Sequence, residues 1–183
     1  MGNINVFTGP MKCGKTQKIF DEFQRQQIAE KNIKVFSPTI DTRFGVSNIK
    51  SRDKNRKNIE AIPINSIEEI QNYDADTYFI DEFQFLTGDT SVIEKMASKG
   101  KKFFIAGLNL TAEKKPFGKM GDLLCIADNI NMLTSVCDNC KNDNAIFTFY
   151  KGKKDGDILI GDSEYLAVCR NCYDKLMKEY NKD

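Results

Sequence analysis

The sequence contains no histidine, which removes both the usual proton shuttle and the commonest metal ligand. Any general base must be a carboxylate, lysine, tyrosine or cysteine. There is no apolar run of transmembrane length and no basic-then-apolar opening of the secretory kind, so the chain is expected to be cytoplasmic, without a membrane partner. A dominant charge is missing too: 27 basic against 26 acidic residues leave a net charge of +1, too little for an overall field that grips nucleic acid, and no nucleic-acid partner is expected. With 183 residues the chain has room for one full domain and a small appendage. Six cysteines in a chain without a signal peptide argue for metal ligands or buried thiols rather than disulfides.

What is present is organised around Gly9-Pro10-Met11-Lys12-Cys13-Gly14-Lys15-Thr16, which fits the G-x-x-x-x-G-K-[ST] phosphate-binding pattern at each fixed position. That pattern needs a strand before it and a helix after it. Ile4-Asn5-Val6-Phe7 is β-prone, and Ile19, Phe20, Phe23 and Ile28 recur at helical spacing, with no glycine or proline between Thr16 and Pro38. Gly9 and Gly14 would let backbone N–H groups curl around phosphates at the positive end of the helix. Lys15 would reach the β- and γ-phosphates, and the Thr16 hydroxyl would face Mg²⁺.

Further along, Lys34-Val35-Phe36 predicts a second strand broken by Ser37-Pro38, and residues 39–58 predict a polar loop or lid. Residues 59–64 predict an edge strand weakened by Pro63, and Ser66-Ile67-Glu68-Glu69 has the form of a helix cap. Thr77-Tyr78-Phe79-Ile80 is an apolar strand ending in Asp81-Glu82. Beside a phosphate loop, an acid at that strand end is placed to hold Mg²⁺, while its neighbour points elsewhere and can face the substrate. A helix over residues 88–99 closed by Gly100, a buried strand over 102–106, a short helix after Gly118 and a strand over 132–136 complete an α/β pattern with a parallel sheet. Ligands of such sheets lie beyond the carboxyl ends of the strands, where the phosphate loop, Asp81-Glu82 and Leu108-Asn109 all fall.

The last part of the chain opens with Cys137-Asp138-Asn139-Cys140 and returns to Cys169-Arg170-Asn171-Cys172. Two C-x-x-C pairs predict a tetrahedral Cys₄ zinc site, structural because four thiolates leave no position for water. Residues 145–150 and 157–161 predict a hairpin pinned by that zinc, able to cover the rim of the sheet. Cys13 and Cys125 are expected to be small packing residues. The boundary expected is a phosphate-loop α/β domain over residues 1–133 and a zinc-pinned lasso over residues 134–183.

With these residues assembled, the chain resembles the type II thymidine kinases, the cytosolic kind with a zinc-held lasso. The resemblance is carried by Gly9-Pro10-Met11, Asp41-Thr42-Arg43, Asp81-Glu82-Phe83-Gln84-Phe85, Lys115-Pro116-Phe117-Gly118, Ala145-x-x-Thr148, Gly161-x-x-x-Tyr165 and Val168-Cys169-Arg170-x-Cys172-Tyr173. It implies transfer of the γ-phosphoryl group of ATP to the 5′-hydroxyl of thymidine with Mg²⁺, by a homotetramer under dTTP feedback, for DNA synthesis by salvage. It implies Glu82 as the catalytic base, with Asp41, Arg43, Lys15, Thr16 and Asp81 as the phosphate and magnesium machinery. Gly9, Pro10, Met11, Lys12, Cys13, Gly14 and Gln84 would join them on the nucleotide side. Met11, Phe85, Leu108, Ala112, Phe117, Thr148 and Tyr165 would line the nucleoside pocket, with backbone groups of Gly156, Asp157, Ile158, Leu159 and Ile160 holding the base.

The chain departs from the family pattern at Lys12-Cys13, Asn109, Tyr150 and Arg52-Asp53, and at Ala112, where the family has a substrate-contacting phenylalanine. The last change leaves the pocket wider, or closed by another group, and leaves thymidine and deoxyuridine both open as substrates. A zinc-containing, ATP-dependent nucleic-acid binder and a nucleotide sensor without activity are the rival readings. Near-zero net charge opposes the first, and intact Lys15, Thr16, Asp81 and Glu82 oppose the second.

Overall fold

The computed structural model describes residues 1–40, 48–50, 57–152 and 164–180. In chain order it runs through β1 (Asn3–Thr8), α1 (Lys15–Ile28), β2 (Ile33–Pro38), β3 (Asn48–Ile49), β4 (Ile59–Glu60), β5 (Ile62–Ile64), a 3₁₀ helix at Ile67–Asn72 and β6 (Thr77–Ile80). A 3₁₀ turn at Phe83–Phe85 precedes α2 (Ser91–Ser98), β7 (Lys102–Gly107), α3 (Met120–Ile126), β8 (Asn129–Met132), β9 (Phe147–Tyr150), β10 (Tyr165–Val168) and α4 (Arg170–Tyr180).

Among the described residues, six strands form one sheet in the order β5-β2-β6-β7-β1-β8, with every pairing parallel. The central strands are apolar on both faces, as a parallel sheet covered on both sides demands. In β7, Phe103 and Ile105 join a cluster with Ile67, Ile70, Ile93, Met120 and Leu123, while Phe104 and Ala106 face Ile19 and Phe20 of α1. Successive residues of a strand point to opposite faces, so this division follows from the pleat. The strand order brings the carboxyl ends of β1, β6 and β7 side by side on one rim.

Several boundaries differ from the sequence expectation. β2 continues through Ser37-Pro38, because Pro38 is its last residue and pairs with Ile64 at the edge of the sheet. Residues 59–64 divide into β4, which pairs antiparallel with β3, and the sheet edge β5. The strand placed at 132–136 lies at Asn129–Met132, where all four residues are exposed on an outer strand, and Val136 is exposed beyond it. Ile28, expected on the apolar face of α1, is 77% exposed at its last turn. Ser66-x-x-Glu69 does form a reciprocal capping box.

The C-terminal part has its own apolar cluster, built from β9, β10, α4 and the cysteines. The antiparallel partner of β9 is Tyr165–Val168. The strand expected over residues 157–161 lies outside the described residues. α4 carries Tyr173, Leu176, Met177 and Tyr180 toward this cluster, an i, i+3, i+4, i+7 stripe that the sequence displays and the motif reading passed over. Cys125, expected to pack, is exposed on α3, whereas Cys13 is half-buried. No described helix is long and apolar enough to cross a membrane.

Candidate active site

β1 delivers the chain into the loop at Gly9, whose φ of 146° places the position of a Cβ only 2.3 Å from the Leu133 carbonyl oxygen, so no side chain is tolerated there. The loop ends at Gly14, which begins α1 with a left-handed φ of 89°. Lys15 is buried, and its ammonium lies back across the loop, donating to the carbonyls of Pro10 at 2.7 Å and Gly9 at 3.3 Å, with the Cys13 Sγ 3.7 Å away. The next residue, Thr16, donates its hydroxyl to Asp81 Oδ2 at 3.1 Å. Residues from the carboxyl end of β6 and the first turn of α1 thus meet at one point.

Asp81 is 6% exposed and its carboxyl is pushed up to about 7, first by burial and then by the charge of Glu82, with the Glu82 N–H, Thr16 and Lys15 pulling the other way. A buried acid beside a hydroxyl oxygen, costly to ionise alone, is a donor set that suits a hard divalent cation such as Mg²⁺. Glu82 has a left-handed φ of 51°, a conformation that non-glycine residues hold only when their surroundings enforce it. Gln84 enforces the side chain: its Nε2 donates to Glu82 Oε2 at 2.6 Å, and its Oε1 accepts the Leu108 N–H at 2.9 Å. Expected on the nucleotide side, Gln84 is 2% exposed, and its amide joins the strand ends of β6 and β7.

Several of the expected pocket residues make direct contacts, some of them between the two parts of the chain. The Met11 N–H donates to the buried Thr148 hydroxyl at 3.1 Å, linking the loop to β9. The rings of Phe85 and Phe117 meet edge to face at 5.4 Å, and those of Tyr150 and Tyr165 lie 5.1 Å apart. Ala112 presents its carbonyl to the Tyr173 hydroxyl at 2.6 Å. The adjoining Lys114 sits over the rings of Tyr173 and Phe147, at 3.8 and 4.5 Å, and pairs with Asp174. Asp41, Arg43 and residues 156–160 lie outside the described residues, as do Arg52 and Asp53. Sequence reasoning gave no role to Tyr173, Lys114 or Asp138, although Tyr173 and Asp138 stand in the quoted cysteine motifs.

The four cysteines converge, with the Sγ atoms of Cys137, Cys140, Cys169 and Cys172 all within 4.8 Å of one another. The Cys140 to Cys169 separation of 3.8 Å equals the edge of a tetrahedron with about 2.3 Å from metal to sulfur. Burial pushes the Cys137 thiol up, but hydrogen bonds from the N–H groups of Cys140, Cys169 and Asn139 outweigh it and bring it down to about 6. A thiolate so favoured fits a zinc ligand set. A hydrogen bond with Asn139 pulls the Cys172 thiol down, but burial and the hydrogen bonds with Cys169, Cys140 and Cys137 together raise it to about 11. All six cysteines are free.

Comparison with known proteins agrees with this geometry. A sequence profile described as thymidine kinase matches residues 2–173. The thymidine kinase of Porphyromonas gingivalis is 34% identical over 178 residues, covering 95% of this chain and 86% of that protein. Those of Bacteroides fragilis and Mycoplasma mobile are 33% and 37% identical over 182 and 177 residues, covering 97% and 94% of this chain and 90% and 87% of theirs. A match that runs from the first strand to the last cysteine, at this identity over nearly the whole length, means that the chain belongs to the thymidine kinase family.

Proposed function

We propose that the protein transfers the γ-phosphoryl group of ATP to the 5′-hydroxyl of thymidine, with deoxyuridine as a second acceptor, and so returns nucleoside to the DNA precursor pool in the cytoplasm. The observation that carries this reading is the meeting of Lys15, Thr16, Asp81 and Glu82 on one rim of the sheet, with Thr16 and Asp81 3.1 Å apart. In-line transfer asks the protein for positioning and charge stabilisation more than for covalent chemistry. The loop over residues 9–16 binds the phosphates with its N–H groups, and Lys15 exchanges the Gly9 and Pro10 carbonyls for phosphate oxygens. Thr16 and Asp81 would hold Mg²⁺, which when bound neutralises charge on the phosphate oxygens. Glu82, with Oε2 held by Gln84, takes the proton of the attacking hydroxyl, and Asp41 and Arg43 complete the phosphate machinery.

Met11, Phe85, Leu108, Phe117, Thr148 and Tyr165 form the nucleoside pocket in this reading, with Ala112 at its edge and the backbone of residues 156–160 on the base. The four thiolates would hold a structural zinc ion, with no ligand position left for chemistry. A division into residues 1–133 and 134–183 is supported by the separate apolar clusters of the two parts. Feedback by dTTP and assembly as a homotetramer belong to the same reading and rest on the family resemblance. The test is product formation from ATP across a panel of nucleosides: thymidine is expected to be phosphorylated fastest, and a panel in which none is phosphorylated rejects the reading.

A further inference from the structure

Lys12 occupies a position where the chain departs from the family pattern, and it is one of five described non-glycine residues with positive φ, at 63°. Its ammonium does not lie across the loop as that of Lys15 does. It reaches Asp138 Oδ2 at 3.0 Å and the Tyr165 carbonyl at 3.3 Å. Its own carbonyl accepts the Ser135 hydroxyl at 3.3 Å. Asp138 stands inside the first cysteine pair and is itself fixed, since the same Oδ2 accepts the Ala167 N–H at 2.8 Å and its N–H donates to the Ala167 carbonyl at 2.8 Å. The turn continues into the metal site through the Cys169 N–H, which donates to Cys137 Sγ. An unbroken series of direct contacts therefore joins the cysteine cluster to the strained residue of the phosphate loop.

We propose that Lys12 is a positioning residue of the donor site, which through Asp138 holds the phosphate loop in shape against the folded cysteine turn, so that ATP affinity and zinc retention are linked. The proposal rests on the reading that residues 9–16 bind the phosphates of ATP. Linkage of this kind is reciprocal: if the metal-bound turn favours the loop that binds nucleotide, bound nucleotide must favour retention of the metal. The pair is about 30% exposed on each side, so solvent screening keeps the effect moderate.

The experiment is calorimetric titration of the full, zinc-loaded chain with Mg-ATP, for the natural protein, Lys12→Met, Asp138→Asn and the double variant, with zinc content measured in each. Expected is a loss of Mg-ATP affinity of about three- to tenfold in either single variant, with the double variant no worse than either. Mg-ATP is also expected to slow zinc release to a chelator in the natural protein and not in Lys12→Met. If Lys12 instead contacts phosphate directly, Lys12→Met weakens binding while Asp138→Asn leaves it unchanged or tighter, and the proposal is overturned. It is also overturned if all variants bind as the natural protein does. Should Asp138→Asn lower the zinc content, the charge-swapped pair Lys12→Glu with Asp138→Lys decides: affinity recovered relative to Lys12→Glu alone supports the tie, and no recovery overturns it. Failure of the underlying reading looks different, because the natural protein then binds no Mg-ATP at all.

Discussion

Among the described residues, the parallel sheet buries sixteen apolar residues against one face and ten against the other, whereas the C-terminal module buries nine, three of them cysteines. The first number is enough for a core that orders itself by removing apolar area from water. The second is not, because so small a cluster rarely outweighs the conformational entropy of the residues it orders, and small modules of this kind rely on a metal or a disulfide. The difference assigns different work to each part. Groups proposed to hold a fixed geometry during phosphoryl transfer, Lys15, Thr16, Asp81 and Glu82, stand on the self-sufficient sheet. Thr148 and Tyr165, proposed to touch the nucleoside, stand on the part whose order depends on its cysteines.

The largest expected effect tests the sheet side. Glu82→Gln keeps shape and removes the basic oxygen, so turnover is expected to fall by about 10² to 10⁴ while thymidine affinity changes little. Steady-state kinetics with a parallel binding titration reads both. Near-normal turnover would take the base off the sheet and dissolve the division of labour.

Next in size is the module. Cys172→Ser removes one of the four converging thiolates, and thymidine affinity is expected to fall on the order of 100-fold as the β9 and β10 pair loses its anchor. The melting of the sheet is expected to persist. Mg-ATP affinity is expected to fall only by the three- to tenfold that the Lys12 to Asp138 tie transmits. Calorimetry with both ligands, alongside zinc determination, separates these outcomes. Normal thymidine binding by a zinc-free variant would show that the module orders itself.

How far the sequence could be read follows the same division. β1, the turn over residues 9–14, α1, β6 and β7 were legible because buried strands carry continuous apolar runs and because a strand-to-helix turn of this pattern is marked by fixed glycines. The cysteine site was legible from spacing alone. β8 was misplaced because Asn129-Ile130-Asn131-Met132 is exposed throughout, so burial leaves no signature on it. α4 is hidden in the sequence because its first turn overlaps the second cysteine pair, and its helical stripe begins only at Tyr173. Two of the contacts that join the two parts, Lys12 with Asp138 and Tyr173 with Ala112, pair residues 126 and 61 positions apart. No local pattern announces such pairs, because they depend on how distant stretches of the chain fold back onto one another.

The smallest expected effect sets the two parts against each other through pH. Asp81 has an ordinary value of 3.8 and is raised to about 7 in the fold by burial and by Glu82. Between those values the folded protein holds a proton that the unfolded chain has released, so the contribution of this group is complete below 3.8, declines as pH rises and is gone above about 7. The decline is at most about 1.4 kcal/mol per pH unit, or on the order of 3 °C in melting temperature for a chain of this size. The zinc proposed for the cysteine module would respond in the opposite sense, since protons compete with zinc for thiolates and acid would release the metal. Asp81→Asn removes the titrating group but keeps a neutral side chain of the same shape. In the metal-free buffer that leaves Asp81 uncompensated, the melting temperature of Asp81→Asn relative to the natural protein is expected to climb steadily from pH 5 to pH 7 and then level off. A constant offset, from the altered hydrogen bonds with Thr16 and the Glu82 N–H, does not affect that slope. A difference independent of pH would mean that Asp81 ionises freely on the rim, and that the sheet carries no buried charge awaiting a cation.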